Sequence, residues 1–296
     1  MLATLEFTTQ RHAHSTSIFL IRAAMLSSQT NTNPRILVFD SGVGGLSILH
    51  EIQKKLPFAP LIYASDNAFF PYGTKGEAEL ITRVDAVFHR ITKAYPIDII
   101  VVACNTASTV ALPHIRSHFY QPIVGVVPAI KPAAIKSKSQ VIGLLATPAT
   151  VARPYTHNLI REHAPHAEVI SVGSSELVQL AEYKLRGGSV TPEQLNSILQ
   201  PFFTHPRGHE MDALVLACTH FPLLRDELAA QFLPQVQLID SGEAIARRVA
   251  SLLESHTFIE QEPEYSAIFT KASPSVDSLS PQLGQFGIQN INIIDV

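Results

Sequence analysis

Two short stretches of this chain say nearly the same thing: DIIVVACNTAS around Cys104 and DALVLACTHFP around Cys218. Each is a brief apolar run rich in Val, Ile or Leu that ends in Ala-Cys and a polar turn. A run that short, closed by a turn, has the signature of a strand buried on both faces, and such strands belong to parallel sheets sandwiched between helices. The chain is therefore expected to build α/β layers, and to build them twice. In open parallel sheets ligands sit at the carboxyl ends of the strands. The helix that follows turns its N–H groups and positive dipole end toward the same place, which favours a thiolate. Two cysteines so placed read either as buried structural residues, since free Cys is among the most buried types, or as paired proton carriers facing each other across a cleft. A structural disulfide fits less well, because two cysteines in 296 residues lack the density of a secreted scaffold.

The rest of the chain keeps the same rhythm. RILVFDSGVGG (35–45) reads as a strand running into a glycine-rich turn, followed by helical LSILHEIQKKL. APLIYASDN (59–67) is a second strand, FFPYGTKG a loop, and Glu77 to Ala94 an amphipathic helix. IDIIVVACNTAS (97–108) and QPIVGVVPA (121–129) supply two more strands. The second half repeats the pattern with QVIGLLATPATV (140–151), AEVISVGSSELVQLAEYKL (167–185), MDALVLACTHFPLL (211–224) and VQLIDSGEAIARRVASLL (236–253). The expected fold is α/β, with two similar parallel-sheet domains in a pseudo-twofold relation and an active site in the cleft between them. The expected divisions are an N-terminal extension at 1–33, weakly ordered, a discontinuous first domain of 34–127 with 240–296, and a second domain of 128–239. Met25 is an alternative start. Beyond about Glu260, YSAIFTKAS reads as a peripheral strand, and the Ser- and Pro-rich remainder as loop.

Composition narrows the function classes. A formal net charge of −3 and a pI near 6.5 leave no electrostatic footprint for nucleic acid. No apolar run approaches the roughly 18 residues of a membrane span, and the interrupted SIFLIRAAM stretch makes a poor signal peptide.

The individual motifs each carry two readings. DSGVGG (Asp40–Gly45) resembles a phosphate cradle but lacks the spacing of a dinucleotide fingerprint or a P-loop. A small carboxylate at the following helix N-terminus fits it better, glycine permitting close approach. Asp40 is either a buried cap or an acid beside the first thiol. PYGTK (Pro71–Lys75) is a turn with amides free for an anion. Asn105, Thr106 and Ser108 flank Cys104; Thr219 and His220 follow Cys218. His220 suits a proton relay, whereas one His and one Cys fall short of a zinc set, so no metal site is expected. Thr147 and Thr150 make an ordinary N-cap pair unless the cleft assembles there. Glu182 lies on a helical run, SSELVQLAEYKL, where a glutamate is more often part of a solvated face than a catalytic acid, and periodicity alone does not single it out.

Taken together, FDSGVGGLS, DNAFFPYGTK, VVACNTAS, GVVPAIKPA, IGLLATPAT, LACTHFPLL and IDSGEAIARR resemble the glutamate racemase family from about Arg35 to Leu253. The resemblance implies a racemase without cofactor that interconverts L- and D-glutamate in the bacterial cytoplasm, supplying D-glutamate for peptidoglycan. It implies opposed bases at Cys104 and Cys218, with catalytic support from Asp40, His220 and Glu182. Substrate contacts are implied at Asp40, Ser41, Pro71, Tyr72, Gly73, Asn105, Thr106, Thr147, Thr150, Thr219 and His220. Ser174 and Ser175 stand where many relatives have Cys-Pro, so Glu182 is placed by helix spacing alone, and Ala146 replaces a common Gly. These departures resemble the Gram-negative subset, some members of which need UDP-N-acetylmuramoyl-L-alanine as activator. The rival readings are an aspartate or hydantoin racemase, and an amino-acid-binding sensor whose domains close without chemistry.

Overall fold

The computed structural model describes residues 32–296. The extension at 1–33 and the alternative start at Met25 lie almost wholly outside the described residues.

The first half opens with β1 (Ile36–Asp40), buried throughout. Helix α1 (Leu46–Lys55) buries Leu46, Ile48, Leu49 and Ile52 and places Lys54 and Lys55 at its carboxyl end, where they complement the dipole. Strand β2 (Leu61–Ser65) and a short turn at Tyr72–Thr74 lead to α2 (Glu77–Ala94). That helix buries Leu80, Val84, Val87, Phe88 and Ile91, a single stripe at helical spacing. Then come β3 (Ile99–Val102), α3 (Asn105–His118) and β4 (Ile123–Gly125). The second half runs α4 (Ile130–Lys136), β5 (Val141–Ala146), α5 (Pro148–Ala152), α6 (Pro154–His163) and β6 (Glu168–Gly173). It continues with α7 (Glu176–Leu185), α8 (Pro192–Thr204), β7 (Ala213–Leu216), α9 (Arg225–Ala229) and β8 (Gln237–Ile239). The carboxyl-terminal part holds α10 (Gly242–Leu252), β9 (Tyr265–Phe269), α11 (Pro274–Asp277), α12 (Ser280–Gln285) and β10 (Asn290–Ile293).

All the pairings are parallel and form two sheets, in the orders β10-β9-β2-β1-β3-β4 and β6-β5-β7-β8. The strand order second-first-third-fourth thus occurs twice. The repetition reaches individual hydrogen bonds. Ala103 N–H donates to Phe39 O at 2.7 Å, and Ala217 N–H donates to Leu145 O at 2.8 Å. Asp66 N–H donates to Asp40 O, and Ser174 N–H to Ala146 O, both at 2.9 Å. Cys104 and Cys218 therefore occupy the same position in the two halves, each at the carboxyl end of a third strand beside the first. There the strand order reverses, which is where open α/β sheets bind ligands.

Alternate residues of each central strand enter different cores. Ile36 and Val38 face one layer and Leu37 and Phe39 the other; Val141 and Leu145 oppose Ile142 and Leu144. Burial on both faces is why these strands read as unbroken apolar runs. Strand β8 stays with the second sheet, whereas Ile245, Ala246 and Val249 of α10 join the core of the first.

The carboxyl-terminal reading needs correction. β9 is not peripheral: it pairs with both β2 and β10, and β10 forms the edge. The Ser- and Pro-rich stretch is not all loop, because Val276, Leu279 and Leu283 of its short helical region are buried in the first core.

Candidate active site

The carboxyl end of β1 places Asp40, fully buried, beside the Cys104 strand. Ser41 N–H donates to Asp40 Oδ1 at 2.6 Å, and Thr219 Oγ1, from the second half, donates to Oδ2 at 3.1 Å. Burial pushes the Asp40 carboxyl up, against the pull of nearby His220. Cys104 is the residue preceding α3, and Ser41 Oγ lies 3.9 Å from its sulfur. Burial first, then the Asp40 charge, lifts the Cys104 thiol well above the ordinary thiol range.

The second thiol has a different neighbour. His220 Nδ1 lies 3.8 Å from Cys218 Sγ, and its Nε2 lies 2.8 Å from Glu182 Oε1. Burial alone would depress the imidazole, but the hydrogen bonds to Cys218 and Glu182 outweigh it and carry His220 well above the ordinary range. The two halves match in backbone, yet the position equivalent to Asp40 is Ala146. The first cysteine is thus faced by a carboxyl at the end of its own sheet, and the second by an imidazole supported from α7.

Glu182 is only 6% exposed, so the solvated-face reading of its helix is wrong at this position. Its Oε1 also accepts from Val43 N–H at 2.8 Å, and Arg186 pairs with its other oxygen. Burial resists ionisation, but these partners, His220 foremost, hold Glu182 well below the ordinary carboxylate range. The glycine turn answers its own ambiguity here. The carboxylate seated on its amide is Glu182, and a Cβ on Gly42 would collide with Glu182 Oε1 and one on Gly44 with the His220 ring. Glycine at these two positions lets the turn reach the pair.

A cavity with room for about 50 Å³ of solvent lies between these groups. Asp40, Ser41, Pro71, Tyr72, Gly73, Cys104, Asn105, Thr106, Thr147, Thr150, Cys218, Thr219 and His220 all line it. Glu182 stands behind His220. Thr147 Oγ1 accepts from Thr150 N–H as helix cap, so the pair caps α5 and lines the cavity as well. Tyr72 lines the cavity while its hydroxyl donates to Asp66 Oδ2 at 2.7 Å. Asn105 Oδ1 is buried with no hydrogen-bond partner, which costs free energy unless a donor enters the cavity. Phe70, Thr74, Val178 and Gln179 also line the cavity and were not singled out from the sequence; only helix spacing pointed at α7. Among the described residues the group of three metal-type donors within mutual reach is Asp85, His114 and His118, on α2 and α3 and outside this lining.

No helix among the described residues is long and apolar enough to cross a membrane. Residues 39–249 match the Asp/Glu/Hydantoin racemase family model. The chain is 47% identical over 274 residues to the glutamate racemase of Salmonella enteritidis, covering 92% of this chain and 96% of that one. It is 45% identical over 267 residues to the glutamate racemase of Pectobacterium carotovorum, with 90% and 93% covered. The crystal structure of Escherichia coli glutamate racemase in complex with L-glutamate and the activator UDP-MurNAc-Ala superposes with a TM-score of 0.84 at 45% identity, covering 89% of this chain and 99% of that one. Matches of this extent, over a fold in which two equivalent cysteines line one cavity, make the chain a member of the glutamate racemase family, of the Gram-negative type.

Proposed function

We propose that this protein interconverts L- and D-glutamate by a two-base mechanism in which Cys104 and Cys218 serve opposite faces of the α-carbon. The observation that carries the reading is the equivalence of the two cysteines: each follows the third strand of a repeated sheet, and both line one small cavity. One thiolate removes the α-proton, breaking the Cα–H bond. The other thiol delivers its proton to the opposite face, and the enzyme ends with its two sulfurs exchanged in protonation state. The α-proton is very weakly acidic, so the developing charge must be stabilised by donors already in place. The hydroxyls of Ser41, Thr147 and Thr150 and the backbone at Gly73 suit the substrate carboxylates, Thr219 braces Asp40 beside them, and the orphaned Asn105 Oδ1 suits the ammonium group.

His220, held by Glu182, holds or releases a proton beside Cys218, and Asp40 serves Cys104 in the same way. D-Glutamate made in the cytoplasm would supply peptidoglycan. The likeness to the Escherichia coli enzyme supports a requirement for the same activator, UDP-N-acetylmuramoyl-L-alanine. The strand pairing and the core membership of α10 support a division into domains at 34–127 with 240–296, and 128–239. Exchange of the α-proton of L- and D-glutamate for deuterium, without added cofactor and with and without the activator, is the test. Binding of glutamate with no exchange under either condition would replace the racemase with a sensor.

A further inference from the structure

Helices α2 and α3 pack side by side, and their sequences place donors on the facing surfaces at the same interval: Asp85 and His89 on α2, His114 and His118 on α3. Residues four apart share one face of a helix, and a His pair at that spacing is a recurrent way for a helix to present two imidazoles to one metal. His114 Nε2 lies 3.0 Å from Asp85 Oδ1, and His89 Nδ1 lies 3.2 Å from Asp85 Oδ2. The His114 and His118 rings stack with centroids 3.9 Å apart. One ligand atom each from Asp85, His114 and His118 falls within 4.8 Å of the others, within reach of one ion. None of these residues lines the catalytic cavity.

We propose that Asp85, His114 and His118 form a site for a divalent transition metal of the zinc, cobalt or nickel kind, with His89 or water completing the coordination. Two imidazoles and a carboxylate are a borderline donor set that suits these ions over magnesium or calcium. The ion would take the place of the direct contact between His114 Nε2 and Asp85 Oδ1. The ion would clamp the carboxyl-terminal half of α3 to α2. The amino-terminal end of α3 carries Asn105 and Thr106 and follows Cys104. Some 10 residues at 1.5 Å each put His114 roughly 15 Å along the helix from Cys104, so the site is separate from the thiols.

Cobalt(II) titration of the intact protein tests this, because its visible spectrum reports the ligands. The expected result is one equivalent giving d–d absorption without the intense near-ultraviolet band of a cobalt–thiolate bond, together with a raised Tm. His118→Ala, which removes an exposed ring, is expected to weaken that equivalent roughly 10-fold or more. The double variant His114→Ala/His118→Ala is expected to abolish it while keeping the far-ultraviolet circular dichroism of the parent. Undiminished binding in the double variant, no nitrogen/oxygen-type equivalent in the parent, or a thiolate band that disappears with Cys218→Ala would each overturn the proposal.

Discussion

Val43 and Glu182 are 139 residues apart in the chain, yet the backbone N–H of one donates to Oε1 of the other at 2.8 Å. The same oxygen lies 2.8 Å from His220 Nε2, so one carboxylate joins the glycine turn of the first half to the imidazole beside Cys218. Ser47 Oγ donating to Thr219 O, also at 2.8 Å, fastens the neighbouring point. The site is assembled by contacts between halves as much as by either sheet.

The turn should therefore be intolerant of even one methyl group. In Gly44→Ala the new Cβ would fall 2.7 Å from both His220 N and Thr219 Oγ1, and His220 N is backbone that cannot swing aside. Overpacking of this kind costs about 1–3 kcal/mol. Denaturant unfolding should show that loss, and turnover should fall further than stability because His220 is displaced. Gly76→Ala, whose Cβ would meet nothing within 4 Å, is the comparison and should be close to neutral in both assays.

Much of the fold was legible because it is set locally. Helix α2 spans Glu77–Ala94 as its apolar stripe requires, and both cysteine strands announced themselves by burial on two faces. The Thr191–Gln194 capping box that starts α8 is equally local, its two hydrogen bonds set by residues three apart. Glu182 was different. Its helix presents mixed residues, and what buries it is a turn from the other half that periodicity cannot see. The same holds for α12 and the Leu279 that precedes it, which look like loop because a Ser-Pro composition hides the burial of Leu279 and Leu283 in the first core. The meeting of Asp85 with His114 likewise depends on how two helices pack, which no spacing within one helix records.

The Glu182–His220 pair should give stability a characteristic pH dependence. Folding lowers the Glu182 pKa from 4.5 to about 2, so the folded state prefers the ionised form. Its contribution is complete above about pH 4.5 and is lost as the pH falls toward 2. His220 is shifted the other way, so its contribution is full below about pH 6.5, the ordinary histidine value, and declines as the pH rises through its elevated folded value. Glu182→Gln should be less stable than the parent at pH 6, and the gap should narrow on acidification from pH 5 to 2. Urea unfolding at several pH values measures it; a gap that stays constant would show that the carboxylate is not ionised in the fold.

Asp66 depends on Arg83 in a way that reaches the cavity. Asp66 is fully buried and accepts from Arg83 Nε at 2.9 Å, Tyr72 OH at 2.7 Å and Thr270 Oγ1 at 2.6 Å. Removing one partner of a buried ion pair leaves an uncompensated charge, typically at about 3–5 kcal/mol. Arg83→Met should lose stability on that order. Because Tyr72 adjoins Gly73 in the cavity lining, KM for glutamate should rise as well. Asp66→Asn combined with Arg83→Met should recover part of the stability, since the stranded charge is gone.

The two cysteines sit in equivalent backbone positions with unlike partners, Asp40 for Cys104 and His220 for Cys218, and that asymmetry lets each be silenced and read separately. With Cys104→Ala or Cys218→Ala, racemisation should fall to background while the fold is kept, because each change removes one of two required proton carriers and deletes little from the core. Serine at either position is the sharper probe. It keeps the volume but is a far weaker base, so one face of the α-carbon should stay active. A glutamate analogue with a β leaving group needs only one base: the thiolate takes the α-proton and the leaving group departs with the electron pair. The resemblance to the glutamate racemase family implies that the thiol of the second half, Cys218, takes the proton of the L-enantiomer and Cys104 that of the D-enantiomer. Cys104→Ser should then eliminate chiefly from the L-analogue and Cys218→Ser from the D-analogue, each with racemisation crippled. Equal elimination from both enantiomers in both variants would break the one-face, one-thiol assignment, and near-parental racemisation in either variant would end the two-base mechanism itself.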